Sequence, residues 1–236
     1  MSISSASSFR RVACGLCLLI GPALILAATI VDPGAGSGGE TRDYMEALAD
    51  DPDMAQLATA LWIYGFALMA IGIIGVVHVI RGRGVTLANI GGALALFGMI
   101  MFVALVTLTI AQINQAEHVG VETAERLTDD FEDYWVFLVV LAPALLGTLF
   151  GFILLASALV RSGLAHIAAP VLIILGVVMI PVSEDSQALA IVANLFLLAG
   201  WGLVGLKLLT MKDEQWDGRE PIDREPAVGA VPPPAV

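Results

Sequence analysis

Two cysteines separated by two residues, Cys14 and Cys17, form a motif that is typical of thiol redox centres and metal sites. Residues three apart on a helix lie on one face, so the two thiols would be neighbours. A membrane thiol oxidoreductase needs a second cysteine pair to relay electrons, and a zinc site needs two more ligands nearby. The chain has only two cysteines. We therefore interpret the pair as packing residues, with redox or metal chemistry as the alternative.

Three histidines could bind a haem or a metal, namely His78, His118 and His166. His78 ends one apolar segment and His166 begins another, so the two imidazoles could share a ligand only if those segments abut. A membrane di-haem cytochrome would need four histidines deep in its helices, and the sequence lacks them. We predict interfacial positions for His78 and His166 and a solvated position for His118.

Two acidic clusters are the remaining candidates for metal binding, Asp50 with Asp51 and Asp129 with Asp130. Converging carboxylates could hold Ca²⁺ or Mg²⁺, although no spacing here matches an EF-hand loop. Acidic residues also stabilise the N-termini of helices. We predict a solvated acidic rim, with a divalent cation as the alternative and no other cofactor.

Sequence motifs of common enzyme classes are missing. The chain has no G-x-S-x-G, no H-E-x-x-H, no Walker loop and no G-x-G-x-x-G that opens a helix. These absences favour a non-enzymatic protein.

The apolar residues predict the fold, because they fall into long blocks. Hydrophobic residues make up 58% of the chain and charged residues 14%, and the mean hydropathy is +0.89. A block of about 20 apolar residues matches a hydrocarbon core of about 30 Å, where the backbone must satisfy its own hydrogen bonds as a helix. The blocks lack the polar–apolar alternation of barrel strands. We predict an all-α bundle of six transmembrane helices, at about 12–31, 57–80, 85–111, 135–160, 164–182 and 187–209.

The distribution of Lys and Arg predicts the orientation. Nine of the eleven fall on one side of the six predicted spans, and only Arg42 and Arg126 fall on the other. Sixteen of the 22 carboxylates lie on that second side. We predict that both termini are cytoplasmic and that the outer loops are acidic, in a bacterial plasma membrane. A net charge of −11 also argues against nucleic acid as a partner.

Residues 1–211 are predicted to form the membrane domain. The first apolar run is longer than the core of a signal peptide, so we expect a retained helix. Residues 212–236 are predicted to be a disordered cytoplasmic tail, because they are rich in Pro and Ala and show no periodicity.

A few residues inside the spans could shape a binding cavity or a helix interface. Asn194 and Asn89 are polar, and Pro143 and Pro170 could break helices as in transporter sites. For Asn194 we favour an interhelical hydrogen bond, with a place in the cavity wall as the alternative. Glycines whose spacing permits close helix packing are Gly147 with Gly151 and Gly72 with Gly75.

The short basic turns carry a resemblance to known proteins. "VIRGRG" at 79–84 and "ALVRSG" at 158–163, together with the six-helix layout and the Pro-rich tail, resemble small bacterial six-helix integral membrane proteins of unknown function. The resemblance covers the whole length at the level of layout and implies no catalytic residue.

These observations leave three hypotheses. The first is a non-enzymatic scaffold or partner-binding subunit, which contacts the bilayer and either other membrane proteins or a second copy of the chain. The second is a small permease or a protein that handles lipids or small molecules, with helices kinked around a cavity. The third is a metal- or haem-linked redox protein. A cavity near Asn194 would favour the second, and a solid bundle the first.

Overall fold

The computed structural model describes residues 6–37, 40–183 and 186–220, and these stretches contain helices and no strand. The all-α prediction is confirmed. In chain order the helices are α1 (Ala6–Val31), α2 (Thr41–Asp50), α3 (Pro52–Val79), α4 (Val85–Val119), α5 (Val121–Glu132), α6 (Trp135–Ala142), α7 (Thr148–Ser162), α8 (Ala168–Met179), α9 (Gln187–Thr210) and α10 (Asp213–Trp216).

Five of the helical segments are long and apolar enough to cross a membrane. Four of them are α1, α3, α4 and α9. The fifth is Trp135–Ser162, in which a π-helical turn at Pro143–Gly147 joins α6 to α7. Proline cannot donate the regular helical hydrogen bond, and the wider turn keeps the chain helical past Pro143.

The predicted span 164–182 is shorter than expected. Its helix α8 has 12 residues and continues as one 3₁₀ turn, Ile180–Val182. Together they extend about 24 Å, less than a hydrocarbon core of about 30 Å. The sequence suggested that Pro170 could break this helix, but it does not. It is the third residue of α8, where a backbone N–H would have no helical acceptor in any case.

Six helices form a closed ring, in which each packs against two neighbours. The order around the ring is α1, α3, α4, α7, α8, α9 and back to α1. Buried apolar side chains fill the centre of one half, among them Leu18, Leu155 and Trp201. Helix α1 therefore packs against both α3 and α9.

Glycines bring neighbouring helices of this ring into close contact. A Cβ atom added at Gly151 of α7 would lie 2.5 Å from the backbone nitrogen of Ala95 in α4. Gly147 faces α4 in the same way, and Gly72 and Gly75 of α3 face α1. The predicted packing role of these four glycines is therefore found within the chain's own bundle.

One end of the ring, which we call the acidic end, carries α2 and α5. Helix α4 continues eight residues beyond its predicted boundary at 111, and Gly120 with φ +84° turns the chain into α5. α2 and α5 pack on this extension through a small separate core of Met45, Leu48, Ala55, Ile113, Ala116 and Ala124. The long acidic loops are thus folded helices.

The opposite end, the basic end, joins the two ends of the described chain. The Arg11 guanidinium donates hydrogen bonds to Asp213 Oδ1 at 2.9 Å and to the carbonyl oxygens of Leu208 and Leu209 at 3.0 and 2.7 Å. Ser7 and Ser8 donate hydrogen bonds to the carboxylates of Asp217 and Asp213.

Part of the predicted tail is ordered, contrary to our expectation. Trp216 is 4% exposed and packs against the ring of His78, with 4.8 Å between centroids. The Arg81 side chain donates a hydrogen bond to the Trp216 carbonyl oxygen at 3.2 Å. Burial of this large aromatic side chain explains why residues 213–220 fold. Residues 221–236 of the predicted tail lie outside the described residues.

Candidate functional site

A cavity of about 280 Å³ lies inside the ring, in the half nearer the acidic end. Along α1 it extends from Asp32, just after the helix, to Pro22, a length of about 15 Å. On α9 its lining ends at Leu197, one turn before the buried Trp201. The walls are mainly apolar, and their largest side chains are Trp62, Phe66, Met69, Met99, Phe102 and Phe152.

Aromatic rings make one wall of this cavity rigid. Trp62 and Phe66 of α3 stack with 5.5 Å between centroids, and Phe66 stacks on Phe102 of α4 at 5.0 Å. Across the ring, Phe152 meets Trp201 edge to face at 5.1 Å. Such pairs are more stable than their buried area alone implies, so the cavity is bounded by side chains that hold each other in place.

A polar pair lies in the wall between α1 and α9. Asn194 Nδ2 donates hydrogen bonds to Thr29 Oγ1 at 3.1 Å and to the Ala190 carbonyl oxygen at 3.0 Å. Thr29 Oγ1 in turn donates to the Ile25 carbonyl oxygen at 3.0 Å. Asn194 thus makes the interhelical hydrogen bond that we favoured from the sequence, and it also lines the cavity.

Thr148 contributes a polar atom without a partner. Its side chain is 7% exposed and lines the cavity, and its Oγ1 makes no hydrogen bond within the described chain. Buried hydroxyl groups are normally hydrogen-bonded. The hydroxyl group instead lies against Gly98, in the contact between α4 and α7.

A carboxylate stands at the mouth of the cavity. Asp32 Oδ1 accepts a hydrogen bond from the Gly34 backbone N–H at 3.0 Å, and the Trp62 side chain lines the same part of the cavity. Burial raises the pKa of Asp32, although the Gly34 hydrogen bond and the neighbouring Trp62 side chain favour the ionised form and act in the opposite direction.

The loop after α1 is held over this mouth from two sides. Gly34 lies against the ring of Tyr44 in α2, and Gly36, with φ +92°, lies against the backbone nitrogen of Gln187 in α9. Gln187 Nε2 donates hydrogen bonds to the carbonyl oxygens of Thr29 and Ile30, at 3.1 and 3.3 Å. Gly34 and Gly36 leave no room for a Cβ, so this loop needs glycine at both positions.

A smaller chamber of about 170 Å³ lies on the other side of Asp32 and Trp62, which line both spaces. Tyr44 and Thr109 form part of its wall and share a side-chain hydrogen bond. Burial, together with the charge of Asp32, raises the pKa of Tyr44 to about 12. Asp32 and Trp62 thus separate the cavity from a chamber beneath α2.

Three of the four residues predicted to shape a cavity do not line it. Asn89 is exposed near the start of α4, and Pro143 and Pro170 lie away from the lining. Asn89 is four residues from the N-terminus of its helix, at the basic end, whereas the cavity opens at the acidic end. Only Asn194 of this set contributes to the wall.

The predicted metal ligands do not converge. In the described ranges, no group of three or more His, Cys, Asp or Glu side chains is placed to hold a metal ion. Asp51 instead caps α3 by accepting a hydrogen bond from the Met54 backbone N–H at 3.2 Å. Asp129 and Asp130 line different surface pockets, because consecutive residues of a helix point in different directions.

The cysteines and histidines lie apart from the cavity. Cys14 and Cys17 are free thiols on α1, and Cys14 packs against Gly75 of α3. His78 belongs to the basic end, and His166 Nδ1 accepts a hydrogen bond from the backbone N–H of Ala168 at the start of α8.

A larger groove of about 510 Å³ lies outside the ring, between α4, α5 and α6. Leu127, Phe131 and Tyr134, which the sequence places on one helical face, all line it. It is a surface feature at the acidic end, whereas the cavity is enclosed by the ring. We therefore take the cavity as the candidate site.

Sequence reasoning missed Asp32, Trp62 and the aromatic wall. The available signal was an aspartate directly after an apolar block, followed by Pro33 and Gly34, which is also what an ordinary loop looks like. Comparison with protein families, with curated proteins and with solved structures finds no match for this chain.

Proposed function

We propose that the protein binds one amphiphilic small molecule or lipid in the cavity of its helix ring, with the polar end of the molecule toward the acidic end. The cavity itself carries the proposal. It lies among the helices of the ring and is mainly apolar, with Asp32 at its mouth, and its volume of about 280 Å³ is close to the lower end of the range for small-molecule sites.

We further propose six membrane crossings, although five segments of the described chain meet the length of a full span. Residues 7–11 and 213–217 meet at one end of the ring, which requires an even number of crossings. The short helix α8 supplies the sixth, since it begins near the basic end and leads to Gln187 at the acidic end. The basic end would face the cytoplasm of a bacterial plasma membrane.

This proposal keeps a non-enzymatic role but places small-molecule handling ahead of a scaffold. The scaffold hypothesis relied on glycine-rich helix faces as partner surfaces. Gly72, Gly75, Gly147 and Gly151 are covered by α1 or α4, and therefore they are not available to another protein.

Binding can be tested with an uncharged brominated amphiphile, ω-bromodecanol, and the protein in vesicles of zwitterionic lipid. Bromine quenches tryptophan fluorescence at short range, and the bromine of a bound probe whose hydroxyl group faces the acidic end would lie near Leu197, one turn from the buried Trp201. We expect saturable quenching that is lost in Trp201→Phe. Residual quenching in that variant should be linear in probe, since Trp135 is 76% exposed on the outside of the bundle.

A matched pair of variants separates the cavity from the outer surface. Ala190 lines the cavity, whereas Ala188 of the same helix is exposed. Ala190→Phe should abolish the saturable quenching, and Ala188→Phe should leave it unchanged. Saturable quenching that survives Ala190→Phe, or its absence from the unmodified protein, would rule out a ligand in this cavity.

A further inference from the structure

We infer that the molecule bound in the cavity carries a positive charge, and that its cationic group sits against Asp32 while its apolar part fills the cavity. This inference rests on the proposed function and adds the chemical class of the ligand. It begins from the position of one carboxylate at the border between the apolar cavity and the smaller chamber under α2.

The Asp32 carboxylate is held in a fixed position. The Gly34 backbone N–H donates to it at 3.0 Å, and the loop that follows is fixed between Tyr44 and Gln187. A carboxylate held by its own packed loop remains oriented when a ligand arrives, so little ordering cost is added on binding.

No cationic side chain of the described residues pairs with Asp32, and none lines the cavity. Arg42, the arginine nearest to Asp32 in the sequence, pairs with Glu46 at 2.9 Å. Partial burial of a carboxylate without a counter-charge is costly. A cation on the ligand would offset this cost, whereas an anionic group would add repulsion.

Two further features favour a cation over a neutral group. Trp62 lies beside the carboxylate, and its ring is the best aromatic partner for an ammonium ion. The segments 32–56 and 112–134 at this end of the molecule carry fourteen carboxylates and two arginines. Their summed field concentrates cations near the mouth of the cavity.

Three probes with the same chain and different head groups test the inference, namely ω-bromodecyl-trimethylammonium, ω-bromodecanol and ω-bromodecanoate. Quenching of Trp201 in zwitterionic vesicles gives the affinity of each. We expect the cation to bind about tenfold or more tightly than the alcohol, and the anion most weakly. In Asp32→Asn the preference for the cation should vanish while the alcohol still binds.

Asp53→Asn is the matched control, because Asp53 is an exposed carboxylate in the first turn of α3 at the same end of the molecule. It removes the same charge from the surface and should keep the preference for the cation. Equal affinities for all three probes, or equal effects of the two variants, would overturn the inference and leave binding of amphiphiles intact. Absence of saturable quenching by every probe would overturn both.

The pH dependence provides a second measurement, since the trimethylammonium charge is permanent. As the pH falls, protonation of Asp32 should weaken binding of the cation. Because the pKa of Asp32 is raised, this loss of affinity should begin at a higher pH than for an ordinary aspartate, which titrates at about 3.9. Tyr44 of α2 is the other titratable group that interacts with Asp32, and it stays protonated because its pKa is about 12. Affinity for the cation that is independent of pH down to that value, or the same pH profile in Asp32→Asn, would contradict the inference.

Discussion

Arg11 illustrates a residue whose sequence signal and structural role differ. In the sequence it is one of the nine Lys and Arg residues on the predicted cytoplasmic side of the six spans. In the structure it is 8% exposed and satisfies the carbonyl oxygens of Leu208 and Leu209 at the end of α9, in addition to its ion pair with Asp213. A cation at this position also interacts favourably with the helix dipole. Arg11 therefore ties the first helix to the last.

Replacement of Arg11 by Met should destabilise the protein. The change removes three hydrogen bonds from a charged donor and leaves the carbonyl oxygens of Leu208 and Leu209 without this partner, while Asp213 keeps its hydrogen bond from Ser8. We expect the free energy of unfolding in detergent micelles to fall by about 2–3 kcal/mol. Arg10→Met is the control, because Arg10 is exposed on the same helix. Equal losses in the two variants would contradict the role assigned to Arg11.

Asp32 and Arg11 mark the limit of prediction from single residues. Apolar blocks predict where helices lie, because a helix in lipid depends mainly on its own composition. The structural role of a polar residue at the end of an apolar segment depends on which other helices surround it. Asp32 matters because Trp62 of α3 and the loop glycines meet it, and no pattern within residues 25–40 contains that information.

Among the helices, the sequence predicted positions better than lengths. The boundaries of α3 were foreseeable, since Asp51 and Pro52 are a typical cap and first residue of a helix. The extension of α4 to Val119 was not, because residues 112–119 are polar and their helix is stabilised by packing with α2 and α5. The fold of residues 213–220 was missed for the same reason, since Trp216 gains its burial from His78 of another helix.

Close contact between α4 and α7 depends on a glycine that can be tested directly. A Cβ at Gly151 would lie 2.5 Å from a backbone nitrogen of α4, so Gly151→Ala must push the two helices apart. We expect unfolding to become easier by about 1–3 kcal/mol. At Gly202 of α9 the nearest atom to an added Cβ is 3.5 Å away, and Gly202→Ala should be neutral or stabilising. Similar results for both variants would show that helix contact at Gly151 is looser than described.

The molecule as a whole combines a solid half and a hollow half. Toward the basic end the ring is filled by side chains such as Leu18 and Trp201, and the two ends of the described chain are joined there by Arg11 and Asp213. Toward the acidic end the ring opens into the cavity, and α2 lies next to its mouth through Tyr44. Motion that admits a ligand is therefore expected near α2 and the loop after α1, and the joined basic end would stay fixed.

Six crossings with both termini inside can be tested by the accessibility of single cysteines in intact bacterial cells. Cys14 and Cys17 are first replaced by Ala, so that a membrane-impermeant thiol reagent reports only on introduced cysteines. Arg83→Cys at the basic end should be labelled only after lysis, and Asp130→Cys at the acidic end should be labelled in intact cells. Both positions are exposed in the structure, so burial cannot explain protection.

The short helix α8 is the decisive case, because α8 and its 3₁₀ turn together are about 6 Å shorter than a hydrocarbon core of about 30 Å. His166 precedes α8 and Val182 follows it, and both side chains are exposed. A crossing requires that His166→Cys behaves like Arg83→Cys and that Val182→Cys behaves like Asp130→Cys. If both flanks of α8 were labelled from the same side, the chain would cross only five times. The contact between residues 7–11 and 213–217 at one end of the ring could then not exist in the membrane, and the closed ring that encloses the cavity would have to be abandoned.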